Sequence, residues 1–255
     1  MLTALEARSI GGTMGGAKRV GAREWTRAQL IELFGSVLLF SRLPEPQLEA
    51  IATASEHKTF RRGAQIIRQG TPGDGLYVVA RGSVLVSREA RSGAQRALNV
   101  IEAPGSFGEL ALLDNRTRSA SIEALEDTEV FAISRETFLG LLSRDPRLVD
   151  GLIRELGRMI RRLSDQVADE GLLDLPTRVA KTLLRLVDNA GSSPRPGSAP
   201  VVALTQGKLA DLAGGSRQSV NAALSSFVVR GLIRIEARQI VITDLPGLRA
   251  RAGVG

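Results

Sequence analysis

The sequence predicts an α+β chain: a compact antiparallel β domain, one long helix, and a small basic domain of short helices closed by two strands. Three observations carry that prediction. Between residues 59 and 133, short apolar alternations are punctuated by Gly63, Gly70, Gly73, Gly75, Gly82, Gly93 and Gly105, the pattern of short strands joined by turns. From Asp145-Pro146 an amphipathic stretch runs to about residue 172 with no further proline. Beyond it, two short helical patterns flank Gly214-Gly215, where paired glycines mark a turn.

Taken in order, residues 1–24 hold the run Gly11-Gly12-Thr13-Met14-Gly15-Gly16 and scattered Lys and Arg, which predicts a mobile tail. A first domain is expected over 25–144. It opens with a helix whose Leu30, Ile31, Phe34, Val37 and Leu38 share one face, followed by a second short helix begun at Pro46. Trp25, the single Trp, reads as a packing anchor, and His57, the single His, as an ordinary residue at a strand start. Residues 76–79 and 81–86 read as two strands joined by a tight turn, and 90–94 as a hairpin tip. The pattern alone does not separate a β-roll from a β-sandwich.

The long helix is expected over 145–172, with Asp145 as N-cap and Pro146 pre-set for the first helical position. Val149, Leu152, Leu156, Met159 and Leu163 are spaced three and four apart in alternation, the a/d repeat of a two-stranded coiled coil. That spacing predicts a homodimer with those residues as its seam. A second row, Ile153, Ile160 and Val167, is available to pack the helix on its own β domain.

The last domain is expected over 173–255. After a hinge at Asp174-Leu175-Pro176 come a helix over 177–187 and a Gly/Pro/Ser-rich loop over 189–197. Thr205 caps one short helix that opens with Gln206, and Ser216 caps a second opening with Arg217 and Gln218. Val220 and Leu224 point inward, and Arg217, Gln218 and Asn221 outward. Two short helices about a glycine turn, the second bearing base-reading side chains, make the helix-turn-helix plan. Residues 231–235 and 239–242 supply the two strands of a wing.

Charge supports that division. Residues 1–172 carry 23 Lys and Arg against 22 Asp and Glu, whereas residues 173–255 carry 11 against 5. A basic module beside a nearly neutral one suggests nucleic acid at one end and another ligand at the other. With no cysteine and one histidine, there is no disulfide framework, no iron–sulfur cluster and no zinc or other metal site. No segment has the roughly 20 apolar residues of a membrane span, and no secretory signal is present, so a cytoplasmic protein without a membrane partner is expected. A nucleophile–base pair and the Walker and Rossmann glycine patterns are lacking, which argues against an enzyme.

The ligand end is legible in residues 107–119. Phe107-Gly108-Glu109 heads the short apolar turn Leu110-Ala111-Leu112-Leu113, and Arg118-Ser119 follows. A helix start with bare backbone N–H groups binds anions. The Arg118 fork takes two phosphate oxygens, and Glu109 accepts from a hydroxyl. One phosphate and one ribose hydroxyl describe a cyclic nucleotide.

This cassette, followed in order by the helix-turn-helix, resembles the CRP/FNR superfamily of bacterial transcription regulators over about residues 30–248. The resemblance implies a cyclic-nucleotide-binding β-roll, a dimerisation helix and a winged helix-turn-helix. It further implies a cyclic nucleotide effector, cAMP or cGMP, bound by Phe107, Gly108, Glu109, Leu110, Ala111, Arg118 and Ser119. A two-fold operator in double-stranded DNA would be contacted by Thr205, Gln206, Ser216, Arg217, Gln218 and Asn221, with RNA polymerase as a further partner. The family meets the nucleotide base with the middle of the long helix, and where its best-known member has a Thr-Ser pair there, this chain has Leu163-Ser164. Where that same member opens the recognition helix with Arg-Glu, this chain has Arg217-Gln218, and Ala222 fills its later basic position. Two alternatives stay open: the same regulator with a ligand-insensitive or differently liganded pocket, and a nucleotide-binding module that acts on a protein partner.

Overall fold

The computed structural model describes residues 25–92, 95–189, 199–236 and 239–254. The tail expected over 1–24, the end of the hairpin tip at 93–94 and most of the loop expected over 189–197 lie outside the described residues.

Helix α1 (Arg27–Ser36) starts at Thr26, whose hydroxyl accepts from Gln29 N–H while the Gln29 side chain accepts from Thr26 N–H, so two orphan donors are satisfied reciprocally. It ends before Val37 and Leu38. Helix α2 (Glu45–Ala54) begins one residue ahead of the expected Pro46. Eight strands follow, β1 (Glu56–Phe60), β2 (Gln65–Ile67), β3 (Gly75–Arg81), β4 (Ser83–Glu89), β5 (Gln95–Glu102), β6 (Gly105–Phe107), β7 (Ser121–Ala124) and β8 (Thr128–Ser134), with the four-residue helix α3 (Leu110–Leu113) between β6 and β7. They form two antiparallel four-stranded sheets, ordered β1-β8-β3-β6 and β2-β7-β4-β5.

The strands around Gly82 are adjacent in sequence but do not pair: β3 lies in one sheet and β4 in the other. Gly82 makes this crossing at φ +83°, where a Cβ would come within 2.8 Å of the Asp127 carbonyl oxygen. Only glycine fits so tight a step. Alternation along β3 divides the interior. Leu76 and Val78 face a core with Phe34, Phe40, Ile51 and Phe131 beneath α1 and α2, whereas Tyr77 and Val79 face Val84, Phe107, Ile122 and Val130 between the sheets. Trp25 and His57 are packing residues. Trp25 meets the Phe131 ring edge-on at 5.6 Å, His57 stacks on it at 4.9 Å, and both bond Glu129.

Helix α4 (Arg135–Arg144) has no counterpart in the sequence reading; Ser134 caps it and Phe138 anchors it. The long helix α5 (Pro146–Leu172) starts as expected, with the Asp145 side chain accepting from Arg147 N–H. Its seam needs correction. Leu152 is buried in the core with Phe34 and Leu148, and Leu156 packs partly against the same core. Met159 is half-buried. The stripe left in solvent is Val149, Ile153, Ile160, Leu163 and Val167, so two of the five seam residues, Val149 and Leu163, face outward together with the whole row assigned to internal packing. On a helix of 3.6 residues per turn the two rows lie side by side. Position alone does not tell which turns inward.

The C-terminal domain comprises α6 (Leu175–Asn189), β9 (Val201–Val202), α7 (Gln206–Ala213), α8 (Arg217–Val229), β10 (Ile233–Glu236), β11 (Gln239–Ile242) and α9 (Leu245–Ala252). Here α6 starts at Leu175, so the break in the chain is at Leu173 and Asp174. Helix α8 runs five residues past Leu224 to bury Phe227. Strand β9 adds a third strand to the wing, in the order β10-β11-β9. The domain core of Val179, Leu183, Leu209, Val220, Leu224 and Leu248 is continuous with Leu85, Ala97 and Val100 of β4 and β5.

Candidate ligand and nucleic-acid sites

The cassette is built by two close approaches of backbone to Arg118. The Arg118 N–H donates to the Thr71 carbonyl at 2.8 Å and its own carbonyl accepts from Gly70 N–H at 2.9 Å, so the arginine is held by its main chain before its side chain acts. Gly108 sits at φ +96°, and a Cβ there would lie 2.6 Å from Arg118 Nη1. Arg118 Nη1 donates to the Gly108 carbonyl at 2.7 Å, and Nη2 donates to the Gly75 carbonyl at 2.7 Å and to the Asp74 carboxylate. Its guanidinium carbon stands 5.7 Å over the Tyr77 ring, which stacks on Phe107 at 5.3 Å. These bonds occupy both Nη2 protons and one on Nη1. The Nε–H and the second Nη1–H remain for a ligand oxygen.

Arg118 is therefore a buried residue, 4% exposed, whose ion-pair partner is Asp74 and not Glu109. Asp74 in turn accepts from the Tyr77 hydroxyl at 3.1 Å. Burial, and then the Asp74 charge, pushes Tyr77 up to about 12, so the phenol stays protonated. Glu109 is 7% exposed. Burial raises its pKa, helped by the charge of Glu155 on α5 and opposed by backbone N–H groups and Arg118. A carboxylate that is costly to leave bare suits a site where a hydroxyl donates to it.

Phe107 and Ala111 are buried and Leu110 is half-buried, while Ser119 is exposed beside Arg118. Being at a helix start, the N–H groups of Leu110 and Ala111 have no intrahelical acceptor. Leu163 and Ser164, the expected pair on the long helix, are both exposed. Glu155, which no sequence motif singles out, is the α5 residue whose charge reaches Glu109.

At the other end, Thr205 caps α7 by accepting from Lys208 N–H, and Ser216 caps α8 by accepting from Ser219 N–H at 3.1 Å. The two helices are separated by Gly214, left-handed at φ +66°, which ends α7. Arg217 and Gln218 are exposed at the start of α8, and Gln206 is half-buried at the start of α7. Asn221 departs from the expected outward position: it is half-buried and its Oδ1 is buried with no hydrogen-bond partner. Among the described residues no cluster of His, Cys, Asp and Glu suits a metal ion, and no helix is long and apolar enough to cross a membrane.

A charged cassette on a β-roll, joined through a long helix to a winged helix-turn-helix, defines a ligand-binding transcription regulator. Comparison with known proteins agrees at both ends. Residues 57–145 match the cyclic nucleotide-binding domain model and residues 177–251 the Crp-like helix-turn-helix domain model. The chain is 31% identical over 221 residues to the CRP-like cAMP-activated global transcriptional regulator of Mycobacterium tuberculosis, covering 87% of this chain and 99% of that one. It is 33% identical over 201 residues to the cyclic AMP receptor protein of Thermus thermophilus, covering 79% and 89% respectively. A CRP/FNR-family transcriptional regulator of known structure from Thermus thermophilus superposes with a TM-score of 0.66 at 26% identity, covering 78% of this chain and 98% of that one. The chain belongs to the CRP/FNR family. That is a family of transcription regulators, not of enzymes.

Proposed function

We propose that this protein is a homodimeric regulator that binds cyclic AMP through its cassette and a two-fold operator through paired α8 helices. The observation that carries the reading is the Arg118 site: a buried guanidinium with two N–H groups to spare, beside a buried Glu109 and the open N–H groups of α3. Cyclic AMP is chosen over cyclic GMP because the Mycobacterium and Thermus relatives are named for it. Arg217, exposed at the start of α8, would take guanine O6 and N7 in each half-site, a contact worth roughly 1–3 kcal/mol. A symmetric dimer sets the two α8 helices about 34–36 Å apart, joined by the exposed stripe Val149, Ile153, Ile160, Leu163 and Val167.

Control would run through α5 to the break at Asp174. There the Asp174 carboxylate accepts from Thr177 N–H at 2.8 Å and from Arg251 of α9 at 3.0 Å. The Thr177 hydrogen bonds, then Arg251, lower its pKa to about 2, so the clamp is charged at any physiological pH. A ligand that favours one arrangement of α5 shifts the population of domain orientations beyond this clamp. The reading is tested by calorimetric titration of the purified protein with cyclic AMP and cyclic GMP at fixed salt. One tight site per chain for cyclic AMP is expected. Preference for cyclic GMP would overturn the choice of base, and no heat with either would leave a DNA-binding protein with another effector.

A further inference from the structure

A crevice of about 640 Å³ lies between the second half of α5 and the helices α6 and α7, on the path from the roll to the DNA-binding domain. It is lined by Arg158, Arg161, Arg162, Arg178, Lys181 and Arg185. Three carboxylates oppose these six cations: Asp165, Asp169 and Glu170. Two of the three are committed, Asp169 to Lys181 at 2.6 Å and Glu170 to Arg96. Arg178 is spent on backbone carbonyls of Leu173, Ala213 and Gly214. Among the described residues, Arg158, Arg161, Arg162 and Arg185 have no carboxylate within ion-pair distance. Four guanidinium groups thus share one cleft with Asp165 as the remaining uncommitted acid.

Arg162 and Arg185 sit on opposite walls, one on α5 and one on α6. Burial, followed by the charge of Arg162, works against the charged form of Arg185. Asp169 offsets part of this repulsion, but it is already held by Lys181, and two like charges in a partly buried cleft are relieved further when another anion comes between them. The cleft is not where a second chain would pack: Arg158, Arg162, Asp165 and Asp169 lie on the face of α5 opposite Ile160 and Val167. Its volume falls within the roughly 300–1,000 Å³ of small-molecule sites, and planar guanidinium forks match phosphate oxygens two at a time.

We propose that this crevice is a second effector site, for a small ligand carrying two or more phosphate groups, separate from the cassette at Arg118. Such a ligand would bridge Arg162 of α5 and Arg185 of α6. It would thereby fix the angle across the break at Leu173 and Asp174.

The test is calorimetric titration of the full chain with inorganic triphosphate at fixed salt, repeated with Arg161→Glu, Arg162→Glu, Arg185→Gln and Arg217→Ala. One site per chain is expected, insensitive to excess cyclic AMP and to Arg217→Ala, and weakened by roughly tenfold or more in the three crevice variants. Arg161 is exposed, so Arg161→Glu keeps the test valid even if Arg185→Gln fails to fold. A parallel titration with adenosine triphosphate separates a site that reads phosphate alone, with equal affinities, from one that also holds a nucleoside, with tighter binding. Absence of binding, displacement by cyclic AMP, or binding that survives the crevice substitutions would each overturn the proposal. So would loss of affinity for a short DNA duplex by the same factor in Arg161→Glu, since the cleft would then be part of the DNA track.

Discussion

Lys208 Nζ lies 2.7 Å from Glu123 Oε1, a contact that ties the first helix of the helix-turn-helix to β7 of the roll. Nearby, Arg96 of β5 pairs with Glu170 of α5, and Gln166 donates to the Leu98 carbonyl at 3.4 Å. Leu85, Ala97 and Val100 bury their side chains in the same core as α6, α7 and α8. The DNA-binding domain is thus held to the ligand-binding domain by an apolar patch with the Lys208–Glu123 pair at its edge.

Breaking the Lys208–Glu123 pair should loosen that docking without unfolding either domain. Both side chains are partly exposed, so the pair is worth under about 1 kcal/mol. Glu123→Gln is expected to leave the melting temperature nearly unchanged and to speed amide exchange in α7. Ligand-free affinity for operator DNA should rise by up to about fivefold as the head samples more orientations. Unchanged exchange in α7 would show that the apolar patch alone holds the head.

If Arg118 holds the nucleotide phosphate as proposed, Asp74 competes with that phosphate for its charge. Its carboxylate already accepts from Arg118, so a phosphate must displace it or share the fork. Asp74→Asn should therefore tighten cyclic-nucleotide binding several-fold, read by titration. Burial works to raise the Asp74 pKa, but the hydrogen bonds from Arg118 and the backbone outweigh it and hold it below the usual value. A group whose folded pKa is depressed contributes stability above its unfolded pKa, about 3.8, and loses it as pH falls through the folded value. The Asn variant should accordingly lack part of the wild-type loss of stability below about pH 4. Weaker nucleotide binding in Asp74→Asn would mean that Asp74 positions the arginine and does not compete for it.

Glu102, at the end of β5, has the opposite sign. Burial and then the neighbouring Glu126 push it up to about 7. A raised folded pKa favours the protonated carboxyl in the native state, so its stabilisation is complete below about 4.5 and is lost as pH rises to about 7. Discounted for its partial exposure, the effect is about 1–2 kcal/mol. Glu102→Gln should raise the melting temperature at about pH 8 and change little at about pH 5. An equal gain at both would assign the benefit to packing and not to charge.

The order of elements, the cap at Asp145-Pro146 and both helix-turn-helix caps were legible because each rests on local chemistry that a few residues specify. Gly108 and Arg118 were legible as a motif, but their mutual dependence was not. Only the fold brings the carbonyls of Gly75 and Gly108 to one guanidinium. The crossing at Gly82 reads as a plain turn, since strand patterns do not record which sheet a strand joins. Helix α4 buries one residue fully, Phe138, which by itself sets no periodic signal. Glu155 was hidden because its importance is a matter of distance to Glu109, 46 positions earlier in the sequence.

The two apolar rows of α5 give the sharpest discrimination between spacing and structure. Leu152 is 6% exposed and Ile160 is 64% exposed, although each belongs to a heptad-like row. If the exposed stripe is the seam of the proposed dimer, Ile160→Asp should yield a folded monomer, because the charge meets only solvent once the partner leaves. Leu152→Ala should instead remove packing beneath α1 and cost about 2–5 kcal/mol of stability, leaving the seam in place wherever the chain still folds. Sedimentation velocity and thermal melts on both variants separate the outcomes. A dimer that survives Ile160→Asp would return the seam to the Leu152 row, and would require α5 to lift from the core of Phe34 and Leu148 for the partner to reach it.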